Sequence, residues 1–108
     1  MTALEILVAA RDLVAKGWCQ GTLARDSCNE YVRYFSSEAA FFCTLGAVFR
    51  AHYTLGSDNA SERTRALSLL EEELPKGYRP AVSEWNDAKE RKQEVVALFD
   101  AAIVKEKL

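Results

Sequence analysis

Proline and glycine are scarce, two and five in 108 residues, so the backbone has few obligatory breaks and long regular elements should dominate. Cysteine is sparse as well: three thiols, an odd number at wide spacings, exclude a closed disulfide framework and fit a reduced chain. No apolar run approaches the roughly 20 residues that a bilayer-spanning helix needs. The start, Thr2-Ala3-Leu4-Glu5, also lacks a basic segment followed by a signal-like apolar core. A cytoplasmic protein with no membrane partner is therefore expected. Neither sign of charge is in excess, with 14 Lys and Arg against 16 Asp and Glu for a net charge of −2. The densest basic stretch, Lys89-Glu90-Arg91-Lys92, is interrupted by Glu90 and followed by Glu94, which disfavours nucleic-acid binding through the phosphate backbone. Glycine-rich phosphate loops, His-Glu-x-x-His helices and Gly-x-Ser-x-Gly elbows are missing too.

What is present is an ordinary globular balance, 49% apolar and 28% charged, without repeats or a linker, which predicts a single domain over residues 1–108. Thr2 and Glu5 form a capping box. Ala3, Ile6, Leu7, Ala10, Leu13 and Val14 then recur at helical spacing, predicting a helix over 3–16 that ends at Gly17. From Trp18 to Phe35 the period is lost; β-formers on either side of Asp26-Ser27-Cys28-Asn29 predict a small β-hairpin near residues 21–35. Ser36 or Ser37 can cap a second helix, residues 37–54. Ala39, Phe42, Cys43, Gly46, Phe49 and Tyr53 give it one apolar stripe, and Phe41, Leu45, Val48 and His52 give it another. A helix apolar on two faces is expected at the centre, with Gly46 allowing a close crossing. Asn59 and Glu62 suggest a cap for a third helix that Pro75 stops, and residues 75–84 read as irregular. Asp87 and Glu90 are candidate caps for the last helix, whose face is Val95, Leu98, Phe99, Ala102 and Ile103. The expected class is mostly α: about four helices around a central helix, with a small hairpin.

The candidate chemistry clusters around two tryptophan motifs, Trp18-Cys19-Gln20-Gly21-Thr22-Leu23-Ala24-Arg25-Asp26 and Trp85-Asn86-Asp87. Arg25 can act as a carboxylate or phosphate fork, or pair locally with Asp26, which can equally hold a turn through backbone amides. Trp85-Asn86-Asp87 reads as an aromatic plug followed by a helix cap, with a ligand-binding role as the second reading. The binding candidates are therefore Trp18, Arg25, Asp26, Trp85, Asn86 and Asp87. Antiparallel packing of the terminal helices would place both tryptophans on one side, with Asp87 accepting from backbone amides of its own loop or helix start.

Cys43, near a predicted helix start, is the obvious candidate nucleophile. His52 lies nine residues on, about 13 Å along a continuous helix and facing the opposite way, so it cannot serve as the base. Core packing is the preferred reading, and no catalytic residue is assigned. Cys19, Cys28, Cys43 and His52 are separated by eight, fourteen and eight residues without a Cys-x-x-Cys knuckle, so no metal site and no cofactor is expected. Glu71-Glu72-Glu73 diverge around a helix and read as a solvated face.

Trp18-x-Gln20-Gly21-x-x-Ala24-Arg25-Asp26, Cys43-x-Leu45-Gly46-Ala47, Trp85-Asn86-Asp87 and Val95-x-x-Leu98-Phe99-x-x-Ala102-Ile103 together resemble an uncharacterised small bacterial and bacteriophage family of unknown function. The resemblance runs from about Ala3 to Ile103, nearly the whole chain. It implies a self-contained intracellular domain with a phage or mobile-element connection, and no reaction. Such sequences usually carry glycine after the Arg-Asp pair and after the Asn-Asp pair; here Asn29 can replace the first through a left-handed conformation, whereas Ala88-Lys89 replaces the second less readily. The leading expectation is a non-enzymatic domain that binds another protein through exposed aromatic and arginine groups, with its oligomeric state open. The alternative is a small enzyme or ligand-binding protein with a pocket near Cys43, Arg25 and Asp87.

Overall fold

The structure, a computed structural model, describes residues 2–56, 60–79 and 81–108. It is mostly helical, in the order α1 (Ala3–Lys16), β1 (Ala24–Arg25), β2 (Phe41–Phe42), α2 (Thr44–Leu55), α3 (Ser61–Glu72), a single 3-10 turn (Lys76–Tyr78), α4 (Val82–Asp87) and α5 (Lys92–Lys107). The capping box at α1 is closed in both directions, since Glu5 N donates to Thr2 Oγ1 and Thr2 N donates to Glu5 Oε1, each at 3.2 Å. Its apolar side, Ala3, Ile6, Leu7, Ala10 and Val14, is fully buried.

That burial makes α1, rather than α2, the hub: it packs against α2, α3 and α5. The terminal helices run antiparallel. Arg11 Nε donates to Asp100 Oδ1 at 3.0 Å, while one turn further along α1 the Ala15 carbonyl accepts from Lys92 Nζ at 2.7 Å near the start of α5. The second contact satisfies a carbonyl that the end of α1 would otherwise leave open. The α5 face anticipated from sequence, Val95, Leu98, Phe99, Ala102 and Ile103, is buried. Arg65–Glu106 at 2.8 Å and Lys105–Glu73 at 3.4 Å tie its far end to α3 and to the residue that follows it.

The segment between α1 and α2 departs most from the sequence expectation. The central helix does not span 37–54; it begins at Thr44, and Phe41–Phe42 is a strand. This strand is the main partner of β1, Ala24 facing Phe42 and Arg25 facing Phe41, antiparallel, while the expected hairpin is present as a single antiparallel bridge between Arg25 and Tyr31, with Asp26 N donating to the Glu30 carbonyl at 2.9 Å and Val32 N to the Ala24 carbonyl at 3.3 Å. Ser36 is no helix cap. Its Oγ accepts from Glu38 N at 3.1 Å in a local turn, while the Arg50 guanidinium donates to the carbonyls of Tyr34 at 3.1 Å and Ser36 at 2.6 Å. Cys43 caps α2 instead, its Sγ accepting from Gly46 N at 3.3 Å. Of the two apolar stripes expected on α2, Phe42, Cys43 and Gly46 of the first and Val48 and His52 of the second are buried, along with Ala47 and Ala51, whereas Tyr53 stands out in solvent.

Gly46 and Gly17 stand in close approaches to backbone. A Cβ on Gly46 would lie 2.0 Å from the Leu23 carbonyl oxygen, which also accepts from Cys43 N, so the close neighbour is the β1 loop and not another helix. Gly17 adopts extended backbone against Ala40, so it ends α1 without a left-handed turn. Asn29 does take the left-handed region, φ 65°, as the turn after Asp26 requires.

The Asn59 cap lies outside the described residues; Ala60, at the N-terminus of α3, makes no side-chain cap bond. The stretch read as irregular contains the 3-10 turn and the six-residue α4. The last helix is not capped by Asp87 or Glu90. Glu94 reaches back instead, accepting from Glu90 N at 3.2 Å and Arg91 N at 3.3 Å. Ala88 stays in the right-handed region, so the link between α4 and α5 needs no glycine.

Gly46→Ala is expected to cost at least about 2 kcal/mol because it meets backbone, whereas Gly77→Ala, with nothing within 4 Å, should be neutral or stabilise by up to about 1 kcal/mol. Phe99→Ala should cost about 3–5 kcal/mol. Urea denaturation of the three variants checks this order.

Candidate functional site

Trp18, Thr44 and Asn86 come from three distant stretches and meet at one side chain. Asn86 is fully buried, and its Oδ1 accepts from Trp18 Nε1 at 2.9 Å, Thr44 N at 2.9 Å and Thr44 Oγ1 at 2.7 Å. Its Nδ2 donates to the Cys19 carbonyl and to Asp87 Oδ1, each at 3.1 Å. The orientation of the amide follows from its partners: indole and backbone N–H groups can only donate, so the oxygen must face them. A buried amide with every polar atom occupied is favourable where a half-satisfied one would be costly.

The neighbouring residues fasten the same junction. Gln20 Nε2 lies over the end of α4, donating to the carbonyls of Asn86 and Asp87 at 3.1 Å and of Lys89 at 2.7 Å. Carbonyls at and just past a helix end lack the full set of internal partners, and this amide supplies donors to them. Gly21 N donates to Asp87 Oδ1 at 3.0 Å, and Gly21 does so with φ 81°, a conformation that side-chain-bearing residues rarely adopt. Asp87 thus accepts from a backbone amide across the chain, not from its own loop or helix start as the sequence suggested. Trp85 is buried beside this network, with Lys89 Nζ 5.2 Å from its ring centre. The two tryptophan motifs therefore share one side of the molecule.

Arg25 and Asp26 hold the neighbouring loop, and Arg25 reaches the junction only through the Gln20 carbonyl. Asp26 Oδ1 accepts from Cys28 N and Glu30 N, both at 2.9 Å, an aspartate-closed turn. The Arg25 guanidinium donates to the carbonyls of Asn29 at 3.1 Å and Gln20 at 3.3 Å. Between this loop and α4 lies a cavity of about 300 Å³ lined by Gly21, Thr22, Leu23, Tyr31, Cys43, Ser83 and Asp87. Arg25 is not in its lining.

Cys43 is only 4% exposed, and burial pushes its thiol above the ordinary value. Cys19 is buried too; burial first, and Cys43 second, raise its thiol to about 11. Both thiols are thus poor nucleophiles near neutrality. Among the described residues, no three His, Cys, Asp or Glu side chains gather as metal ligands, and no helix is long and apolar enough to cross a membrane.

A second cluster escaped the sequence reading. Tyr34 meets Phe35 edge-on at 5.2 Å and Phe49 at 5.5 Å, and Phe35 lies 6.0 Å from Tyr53. The Arg33 guanidinium sits 5.9 Å from the Phe35 ring and that of Arg63 4.9 Å from the Phe49 ring. Phe35 is 42% and Tyr53 58% exposed. The signal in the sequence was the run Arg33-Tyr34-Phe35 followed by Phe49 and Tyr53 one helical turn apart. Gln20 and Thr44 were also passed over as site residues, although each sits inside a motif.

Fold and junction together define a small helical domain whose C-terminal helices are clasped to the loop after α1 by a buried asparagine. The chain belongs to a family of unknown function, DUF6197, whose sequence profile matches residues 1–105. No curated protein and no solved structure shows significant similarity to it.

Asn86→Ala strands three donors and the Cys19 carbonyl in the interior, and should cost at least about 3 kcal/mol. Trp18→Phe should cost about 1–3 kcal/mol alone and less in the Asn86→Ala background, a coupling that a denaturation double-mutant cycle measures. For the thiols, a folded value above the unfolded one keeps the neutral form, so Cys19 leaves stability unchanged below its ordinary value near 9 and lowers it as pH rises towards about 11. In an aromatic-disulfide titration at neutral pH, exposed Cys28 should react at once, and Cys19 and Cys43 only after denaturant is added.

Proposed function

We propose that this chain is a non-enzymatic protein-interaction domain whose contact face is the ring cluster Tyr34, Phe35, Phe49 and Tyr53 with Arg33 and Arg63. The observation that carries this reading is the exposure of Phe35 and Tyr53 within one continuous set of ring contacts. Protein interfaces concentrate their binding energy in tyrosine, tryptophan and arginine anchors, and this face is built of such groups. It is also held ready. Arg50 ties the Tyr34–Ser36 loop to α2 through two carbonyls, which reduces the ordering cost of binding.

The six residues singled out from sequence, Trp18, Arg25, Asp26, Trp85, Asn86 and Asp87, enter this proposal as the clasp and turn that keep the domain closed. Their polar groups bond mainly within the chain. A pocket reading is favoured separately by the cavity beside Cys43 and Asp87, and it suits a bound small molecule better than a reaction, because the thiol there is buried and raised. Ser83→Trp, which fills that cavity, should leave partner binding intact if the ring face is the contact surface. The two buried thiols support a reducing, cytoplasmic setting.

Photo-crosslinking tests the reading. With a benzophenone amino acid at position 35 or 53, discrete protein adducts are expected in cells that carry the protein, while the same group at exposed position 104 should give none. Equal adduct patterns from 53 and 104 would contradict it.

A further inference from the structure

We infer that the surface this face receives is an acidic protein segment, one that places an aromatic or aliphatic side chain on the rings and carboxylates against Arg33 and Arg63. The inference rests on the interaction reading above and specifies the partner's chemistry. It comes from how the chain uses its arginines. Arg11 and Arg65 pair with Asp100 and Glu106, and Arg25, Arg50 and Arg79 are spent on backbone carbonyls within the chain. Arg33 and Arg63 are used differently: each lies against a ring of the cluster, and among the described residues neither pairs with a carboxylate.

The ring contacts connect these two cations, running from Arg33 over Phe35, through Tyr34, to Phe49 beneath Arg63. A guanidinium stacked on a ring keeps its five N–H donors in a fixed plane, and that fork matches a carboxylate in bidentate geometry. A partner with carboxylates flanking an apolar anchor would satisfy both cations and cover the exposed edges of Phe35 and Tyr53. Opposite charges facing each other at the two arginines also speed encounter and disfavour basic competitors.

Single-stranded nucleic acid, which also stacks on aromatic and arginine groups, fits less well. Only two cations frame the stripe, exposed Glu30 and Glu38 flank it in the chain, and the net charge is −2. A phosphate backbone needs a tracked run of positive charge, and the stripe has no such run.

The test selects short random peptides on the full-length protein, maps the enriched ones by amide chemical-shift changes, and measures their affinity at low and high salt. Enrichment of Asp and Glu around an aromatic or leucine is expected, with shifts confined to the ring face. Replacing both arginines, Arg33→Gln with Arg63→Gln, should weaken binding about tenfold or more, and added salt should act in the same direction. The two positions border solvent, and circular dichroism of the double variant checks that it remains folded. Peptides that map to this face but are neutral or basic, or acidic peptides indifferent to the arginines, would overturn the acidic partner while leaving the interaction face intact. Peptides mapping elsewhere, or none enriched, would overturn both. Displacement of the peptide by a fluorescent single-stranded RNA, or self-association abolished by Tyr53→Ala, would replace the acidic segment with nucleic acid or a second copy of the chain.

Discussion

The carboxamide of Asn86 sits at the junction of three segments that the chain brings together from far apart: the loop after α1, the start of α2 and the short α4. One oxygen receives the Trp18 indole, the Thr44 amide and the Thr44 hydroxyl, and the nitrogen of the same group reaches the Cys19 carbonyl. Much depends on this contact. A six-residue helix has too few internal bonds to persist alone, so α4 requires tertiary contacts to hold it. The Thr44 amide is one of the open donors at the start of α2, and Asn86 fills it from outside the helix. The clasp therefore fixes where α2 begins, where α4 lies and how the chain enters α5.

The division between closing the domain and meeting a partner follows from the same geometry. The tryptophan motifs carry the most distinctive side chains, yet their donors and acceptors are largely consumed within the chain by Asn86, Gln20, Gly21 and Asp87. On the aromatic face the reverse holds. Phe35 and Tyr53 expose ring surface, and Arg33 and Arg63 keep their cationic groups on the rings. Because Arg50 links the loop of Tyr34 to α2, and α2 begins at the clasp, the face inherits its shape from Asn86 without containing it.

Periodic segments were readable from sequence because burial imposes the 3.6-residue period directly: α1 with its Thr2–Glu5 box, and the face of α5, follow the pattern residue by residue. The β-rich segment with its Asp26 turn was readable for the same kind of local reason, and Asn29 took the left-handed conformation expected of it. What was lost is non-local. Phe41 and Phe42 fit a helical stripe as well as a strand, and only the pairing with Ala24 and Arg25, across more than a dozen residues, decides for the strand. The cap of α2 is a thiol, Cys43, while Ser36 and Ser37 offered more familiar cap chemistry nearby. For α4, six residues are too few to display a period, and Ala81 supplies no cap signal. The two tryptophan motifs were legible as neighbours, and their meeting followed from antiparallel terminal helices, although Arg25 and Asp26 serve the adjacent turn. That Asn86 and not an arginine or a cysteine would be the pivot was not, since a buried asparagine announces itself only through its partners.

Native-state hydrogen exchange of three protons tests the clasp most directly: the Trp18 indole N–H, the Thr44 amide and the Gly21 amide. All three belong to one junction, so the account predicts that they exchange slowly and with similar free energies, close to that of global unfolding. Rapid exchange of the Trp18 and Gly21 protons, while amides within α1 and α5 stay protected, would show that the loop and α4 open independently of the helical core and would contradict the central role given to Asn86.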